Sequence, residues 1–546
     1  MRYPSLPFEI GRHSLLVIVA IYLAVFCNYS FSSNVLKAYP PGQAEVGAMI
    51  SLAILFVAVN ALLLASLCFG RLYKPIVIAL LLISSVVAYF ADVYGVIVSD
   101  EMIRNALQTN AQEAADLMTG KLALYLLLMG LLPALLVACV RLRKLSPLRE
   151  VRERIVFVLG ALLVVIACVV PFSGFYASFT REHKALRAYA IPGYPLYSLG
   201  KLFFAAEAAS GTENVRLVGE DAHIPATDTD RELIILVVGE TARADRFSVN
   251  GYGRETTPEL TANHAVSFTN FWSCGTSTAV SVPCMFSTLG EKKFDLHRAA
   301  AQENLLDILR HADVNVLWLD NNSDSKGVAI RTSYQSYKSA ELNPICDPEC
   351  RDVGMLANLQ RYIDSKPKGD IFIVLHQMGN HGPAYSKRYP KSFERFKPAC
   401  EDAELGNCSK QEIDNAYDNA VLYTDHFLGK TIEMLKHNDE KFETALFYVS
   451  DHGESLGENG IYLHGLPRAI APEAQTHIPA LLWFGKGFQE IDRGALRKMS
   501  DMRLTHDSVV HTVLGLMEIQ TRAYRPELDI LNKVRSEAPM KHGAQQ

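Results

Sequence analysis

The amino-terminal third of this chain is built from apolar runs too long and too uniform for one face of a soluble helix, and this constrains the fold before any motif is read. The runs are Leu15–Phe31, Ala48–Leu67, Ile76–Phe90 with an extension toward Val98, Leu122–Val140 and Ile155–Phe172. Each approaches the roughly 20 apolar residues that cross a bilayer core. Buried helices of a water-soluble protein would keep some polar face, and five in succession without one do not fit that reading. The expected fold therefore begins with five transmembrane helices. The first run shows no small-residue cleavage pattern and is followed by further runs, so it is expected to stay as an anchor.

Basic residues in the short loops set the expected orientation. Arg2 and Arg12 precede the first run, and Arg71 and Lys74 lie between the second and third. Arg141, Arg143, Lys144, Arg149, Arg152 and Arg154 crowd the loop between the fourth and fifth. The loop between the third and fourth instead carries Asp100, Glu101, Glu113 and Asp116. The amino terminus is thus expected in the cytoplasm, and an odd number of crossings delivers everything after Phe172 to the opposite side. Cysteine placement agrees. Cys27, Cys68, Cys139 and Cys168 lie inside apolar runs, where thiols serve as small hydrophobes. The other six fall in close pairs, Cys274 with Cys284, Cys346 with Cys350 and Cys400 with Cys408. Such an even set in an oxidising compartment implies three local disulfides. A zinc site would need a matching second pair of ligands at a usual spacing, which these pairs lack.

A length of 546 residues calls for more than one unit, and a net charge of -5 leaves no footprint of nucleic-acid binding. The outer loop Asn105–Met118 reads as partly helical and carries Asn105, Thr109, Asn110 and Glu113. Ser178–Ala190 is charged with helical spacing. After the breaker Ile191-Pro192-Gly193-Tyr194-Pro195, Tyr194–Ala209 presents Leu196, Leu199, Leu202, Phe203 and Phe204 and reads equally as an interfacial or a bridging helix. Gly211–Asp230 is a polar linker. Beyond Arg231 short β-rich runs alternate with helical stretches, the signature of a mostly parallel sheet. The expected strands are Leu233–Val238, Asn315–Leu319, Ile371–Leu375, Ala445–Val449 and Ala480–Phe484, with helices over Glu303–His311, Gly354–Ile363 and Gln411–Leu435. The domain plan is 1–176 for the membrane helices, 177–231 for interfacial or bridging helices and linker, 232–535 for a periplasmic α/β domain, and 536–546 for a disordered tail.

Polar residues gather where the strands end. Glu240 ends the first strand, Asn322 and Ser323 follow the second, His376 ends the third, and Asp451-His452 end the fourth. In an open α/β sheet the ligand crevice lies outside these carboxyl ends. A mixed Glu, Asp and His set offers oxygen and nitrogen donors, which suits zinc better than an all-oxygen magnesium cage. Gly453 permits the sharp turn that lets Asp451 and His452 share one ion. His381 and His464 sit in turns close to strand ends, where a packing role and a functional role weigh equally. Between Cys274 and Cys284 lie Thr276, Ser277, Thr278 and Ser281. A hydroxyl at a helix start beside zinc can become an alkoxide nucleophile, and the helix terminus favours phosphate oxygens. Spacing does not choose among the four, and Ser and Thr are also ordinary helix caps.

Four segments carry a resemblance: Val238-Gly239-Glu240-Thr241-Ala242-Arg243, the stretch from Cys274 to Cys284, Asp320-Asn321-Asn322-Ser323-Asp324-Ser325-Lys326-Gly327, and Ser450-Asp451-His452-Gly453-Glu454-Ser455-Leu456-Gly457-Glu458-Asn459-Gly460. Together with the helical anchor and the outer-loop stretch Met102–Thr109, they resemble the phosphoethanolamine transferases, nearest the lipid A-modifying enzymes that include the mobile colistin-resistance proteins. The resemblance covers nearly the whole chain. It implies a catalytic domain of the alkaline phosphatase/sulfatase fold. It also implies zinc ligands at Glu240, Asp451 and His452, with the nucleophile, itself a zinc ligand, at Thr278. His381 and His464 match histidines associated with substrate binding, proton transfer or a second zinc. Asn322, Ser323 and Lys326 match residues around the phosphoethanolamine group, and Asn105, Thr109 and Glu113 match a membrane-side loop implicated in head-group binding. The family's disulfides agree with the three pairs, with Cys346 and Cys350 closer together than in some relatives.

The implied reaction is two successive displacements, from phosphatidylethanolamine to Thr278 and from Thr278 to a phosphate of lipid A, in a membrane-embedded, monomeric enzyme of the bacterial inner membrane. Phosphoglycerol transfer, sulfatase and phosphatase chemistry are the alternatives within the superfamily. Core sugars or another envelope glycan are the alternative acceptors. A non-catalytic sensor that binds lipopolysaccharide would have no use for Glu240, Thr278, Asp451 and His452 together.

Overall fold

The computed structural model describes residues 9–40, 42, 45–109, 111–143, 145–183, 185–209, 215–347 and 349–535. Arg2, Lys144, Asn110 and the tail 536–546 lie outside these residues. The chain forms two compact units. One comprises the residues up to Ile103 together with Leu117–Phe204, and the other comprises Arg104–Asp116 with everything from Ala205. The outer-loop segment therefore belongs with the second unit, and residues 177–204 belong with the membrane helices.

Among the described residues of the first unit, three helices are long and apolar enough to cross a membrane, Val46–Leu67, Gly70–Tyr94 and Gly120–Cys139. Their outward faces are apolar, with Leu124, Leu127, Leu128, Leu132 and Leu135 all exposed, a surface suited to lipid and not to water. The expected first and fifth spans are each broken. Arg12–Phe26 and Tyr29–Ala38 meet at 60°, and Pro147–Val169 and Ser173–Glu182 meet at 87°, so the count reaches five only if each bent pair is one span. The expected end at Phe31 lies beyond the first break, and that at Phe172 lies within the second. The causes are local. Asn28 is buried at the first break, where its side chain donates to the carbonyls of Leu23 (2.9 Å) and Ile191 (2.8 Å) and accepts from Ile191 N–H (2.9 Å). Pro171 supplies no N–H at the second. Pro133 likewise leaves the Met129 carbonyl without its helical donor, the turn widens over Leu126–Leu131, and Tyr22 Oη donates to that carbonyl at 3.1 Å. Cations close helix carboxyl ends: Lys74 donates to the Ala138 and Val140 carbonyls, and Arg154 to those of Ala65 and Cys68.

The second unit is organised on an eight-stranded sheet. Its strands are β1 (Glu232–Gly239), β2 (Val266–Trp272), β3 (Asn315–Asp320), β4 (Ser333–Ser336), β5 (Ile371–His376), β6 (Glu443–Ser450), β7 (His477–Phe484) and β8 (Leu504–Thr505), in the order β8-β2-β7-β6-β1-β5-β3-β4. The sheet is mostly parallel. β7 runs antiparallel to both β6 and β2. β1 is buried along all its residues, as expected of a central strand covered on both faces.

All five expected strands are present, each slightly longer than its apolar run. β2, β4 and β8 are additional. β4 is a polar edge strand, so no apolar run announces it. The helix expected from Glu303 starts at Leu305, where Asn304 and Asp307 form a capping box, and Lys410–Asn438 is closed by the equivalent Ser409–Glu412 pair. The expected Gly354–Ile363 helix is instead a short turn at Asp352–Leu356 followed by a helix at Leu359–Asp364. Gly193–Ala209 is helical, and Ser178–Ala190 divides between the helix Ser173–Glu182 and a turn at Leu186–Tyr189. Of the expected linker, the described part packs on the sheet unit: Ala222 joins the core, and Asp221 accepts from Thr521 and Arg522. All three disulfides are formed, and Cys27, Cys68, Cys139 and Cys168 are free thiols.

Candidate metal centre and nucleophile

Because β1, β3, β5 and β6 are parallel, their carboxyl ends lie on one edge, and Glu240, Asn322, Gln377 and Asp451 come from four adjacent loops. Glu240, Asp451 and His452 each turn a ligand atom into one spot, with these atoms within 4.8 Å of one another, and all three side chains are buried. His452 Nε2 lies 3.4 Å from Glu240 Oε1 and 3.4 Å from Asp451 Oδ2. His452 Nδ1 bonds to the Gly453 carbonyl at 2.9 Å, so that nitrogen carries the proton and the Nε2 lone pair faces the cluster.

The donor set fits a cation. Two buried carboxylates face each other, and among the described residues no Lys or Arg pairs with either. Burial, and then Asp451, push Glu240 well above the usual carboxylate range. Asp451 Oδ1 accepts from Thr241 and His452 N–H groups, while Oδ2 has no hydrogen-bond partner among the described residues. Buried charge of this kind is tolerated when it is paired or coordinates a metal.

Thr278 joins the same spot as the first residue of the helix Thr278–Met285. Its hydroxyl lies 3.1 and 3.4 Å from the Glu240 carboxylate oxygens and 3.4 Å from His452 Nε2. The other three hydroxyls are placed differently. Thr276 Oγ1 donates to the Leu466 carbonyl at 2.7 Å, whereas Ser277 Oγ and Ser281 Oγ are buried without partners, the latter packed against Gly275. Of these four hydroxyls, Thr278 is the one that contacts the cluster.

Asn322 Nδ2 donates to Glu240 Oε2 at 2.7 Å and to the Gln377 carbonyl at 2.6 Å, fixing the Glu240 carboxylate. Ser323 Oγ donates to Asn322 Oδ1 at 2.9 Å, and Lys326 Nζ to the Ser323 carbonyl at 2.7 Å. The His464 ring lies 4.4 Å from that of His452 and 5.2 Å from that of His381. Glu113 is buried, and the charges acting on it include those of Lys326, Arg388 and His464. Thr109 Oγ1 donates to the Asn105 carbonyl at 2.8 Å, so these two bond to each other, while neighbouring Gln108 accepts from Lys326 Nζ at 3.3 Å. His376 bonds to Asp320 at 2.9 Å and does not join the donor set.

Several supporting residues were not singled out by sequence. Glu454 is fully buried, accepts from Tyr385 Oη at 2.8 Å and holds His464 Nδ1 at 2.7 Å. Burial opposes charge on His464, but the Glu454 carboxylate outweighs it and raises the pKa. His506 accepts from Cys274 N–H at Nδ1 (3.2 Å) and bonds to the Ser450 carbonyl at Nε2 (2.9 Å), joining the Cys274–Cys284 disulfide that encloses Thr278 to the Asp451 strand. Glu454 stands within the Asp-His-Gly-Glu segment and was readable there, but nothing local marks His506. Gly453 is needed for a close approach rather than a left-handed turn: a Cβ there would lie 2.1 Å from the Ala474 carbonyl oxygen.

Comparison with known proteins places this arrangement. A family model described as sulfatase matches residues 232–519, and one described as phosphoethanolamine transferase EptA/EptB matches residues 55–206. The chain is 42% identical over 518 residues to the phosphatidylethanolamine transferase Mcr-1 of Escherichia coli, covering 92% of this chain and 94% of that protein. It is 39% identical over 538 residues to the phosphoethanolamine transferase EptA of Salmonella typhimurium, covering 96% and 97%. Among solved structures, the integral membrane lipooligosaccharide phosphoethanolamine transferase A of Neisseria meningitidis superposes with a TM-score of 0.93 at 34% identity, covering 97% of this chain and 100% of that one.

Proposed function

The chain belongs to the phosphoethanolamine transferases, and from that premise we propose that it moves phosphoethanolamine from phosphatidylethanolamine to a phosphate of lipid A, through a covalent intermediate on Thr278. The observation that carries this reading is the Thr278 hydroxyl at a helix start, in contact with both Glu240 and His452. Glu240, Asp451 and His452, with the Thr278 oxygen, would hold zinc, which when bound lowers the pKa of the hydroxyl and offsets charge on the phosphoryl group.

The chain's own residues supply the rest. The Thr278 proton has Glu240 Oε2 as its nearest acceptor, at 3.1 Å. The Thr278 oxygen forms a bond to the donor phosphorus as the bond to the diacylglycerol oxygen breaks. His464, held at Nδ1 by Glu454, is placed to protonate that leaving oxygen from Nε2. Backbone N–H groups at the start of the nucleophile helix favour the phosphoryl oxygens. A lipid A phosphate oxygen then attacks the same phosphorus and releases Thr278. Asn322, Ser323, Lys326 and His381 surround the transferred group, and Asn105, Thr109 and Glu113 serve the head-group side.

In the proposed topology each bent helix pair is one span, the amino terminus is cytoplasmic, and the catalytic unit of this monomer faces the periplasm. A thiol reagent that does not cross membranes should label none of Cys274, Cys284, Cys346, Cys350, Cys400 and Cys408 until they are reduced, and then only from the periplasmic side. Ready labelling from the cytoplasm would overturn the topology.

Mass spectrometry of lipid A from expressing cells tests the function. A gain of phosphoethanolamine on lipid A is expected, with lower polymyxin susceptibility, because each added ammonium masks a phosphate that cationic polymyxins bind through contacts screened over roughly 8 Å at physiological salt. Phosphoethanolamine on another envelope glycan would change the acceptor, and phosphoglycerol in its place would change the reaction.

A further inference from the structure

The catalytic unit contains a buried ion cluster that none of the chemistry above uses. Arg388 follows the His381 turn, and its guanidinium is fully committed in three directions. Nε donates to the His381 carbonyl at 2.6 Å, Nη1 to Glu349, and Nη2 to Asp116 Oδ2 at 2.8 Å. Its side chain is 1% exposed and that of Asp116 is 3% exposed. Lys387 pairs with the other Asp116 oxygen. Glu349 precedes Cys350, whose disulfide to Cys346 closes that loop. A guanidinium with donors pointing three ways is suited to hold three backbone segments in one register.

Asp116 is remote in sequence from its partners. It ends the segment Arg104–Asp116, which packs with the catalytic unit although its flanking residues belong to the membrane unit. The segment is held at a second point, where Lys326 Nζ reaches the Gln108 carbonyl at 3.3 Å. Between these two anchors lies Glu113, buried and under the charges of Lys326, Arg388 and His464. A carboxylate suits an ammonium head, and the segment's docking fixes where Glu113 lies.

We propose that Asp116 is a positioning residue which, through Arg388, clamps the segment Arg104–Asp116 onto the catalytic unit, and that this clamp sets the affinity for the ammonium-bearing lipid donor. The donor half of this statement rests on the proposed function. The clamp is independent of it. Removing the Asp116 charge leaves Arg388 with Glu349 alone and unlinks the segment from both Arg388 and Lys387, so the effect should fall on the docked segment.

The test uses the full chain with Asp116→Asn, which keeps shape and removes charge, and Asp116→Glu as the conservative rescue. With phosphatidylethanolamine in mixed micelles, D116N should raise KM about tenfold or more, the scale of a lost buried charge pair. kcat should stay within about twofold, the pattern of lost binding rather than lost transition-state contact. Metal content should not change, and the Glu variant should recover part of the KM. In nanodiscs, amide hydrogen exchange across 104–116 should be slowed by phosphatidylethanolamine relative to phosphatidylglycerol in the wild type, and fast in both lipids in D116N. Wild-type KM and wild-type exchange in D116N would overturn the clamp. So would a joint loss of kcat, KM and metal content without rescue by Glu, which marks a purely structural ion pair. If the wild type transfers nothing from phosphatidylethanolamine, the functional reading fails, and the exchange measurement still decides the clamp.

Discussion

Replacing Thr278 with alanine is expected to abolish transfer while leaving the fold intact and metal binding partly intact. The hydroxyl is the only one of four candidates in contact with Glu240 and His452. Loss of a covalent nucleophile removes the first displacement altogether, so the rate should fall by about a thousandfold or more. The structural cost should be small, on the order of 1 kcal/mol, because one hydroxyl bond is lost and the helix start is otherwise intact. Glu240, Asp451 and His452 remain, so metal binding should be partly retained. Mass spectrometry of the wild type, given donor lipid and no acceptor, should find phosphoethanolamine on the peptide that carries Thr278. T278A should carry no adduct, and lipid A mass and polymyxin susceptibility in cells should match the empty host. An adduct on Thr276 or Ser281 would move the nucleophile but keep the reaction class, whereas transfer at the wild-type rate by T278A would end the covalent mechanism.

The candidate site was legible in sequence because a parallel sheet places all its strand ends on one edge. Glu240, Asn322 and Asp451 each follow an apolar run, and once the runs are strands the three side chains must converge. The same logic did not reach β4, whose Ser333–Ser336 sequence is polar and exposed at the sheet edge. It also missed the antiparallel sense of β7, since an apolar strand reads the same in both directions. In the membrane unit hydropathy found the apolar stretches and not their breaks, because the bend at Asn28 depends on bonds to Ile191, far along the chain. The supporting residues show the same limit. Arg388 and Asp116 are 272 residues apart, and His506 touches Cys274 across 232. Contacts at such separations leave no local period or motif.

Asp451→Asn should separate metal binding from folding, and the sign of its effect on stability is the informative part. In the metal-free protein Glu240 and Asp451 are buried together with no Lys or Arg partner among the described residues, so burial and mutual repulsion oppose ionising both, and the pair costs folding energy. Amidation of Asp451 removes one of these charges while preserving its acceptor for the Thr241 and His452 N–H groups. The variant should therefore melt at or above the temperature of metal-stripped wild type. It should also lose most of its metal, since a charged ligand becomes a weak neutral one, and with it at least about a hundredfold in transfer. Zinc added to stripped wild type should raise stability by about 3 kcal/mol at a hundredfold excess over Kd, which corresponds to several degrees in Tm for a unit of this size. The same zinc should shift D451N little, and a chelator should leave its Tm unmoved. Metal content by elemental mass spectrometry, read beside the melting curves, decides the matter. Wild-type metal content in D451N would remove Asp451 from the ligand set. A D451N protein that melts well below stripped wild type would mean that Asp451 serves the fold through its charge, and the cluster of Glu240, Asp451 and His452 would then need a different explanation from a cation site.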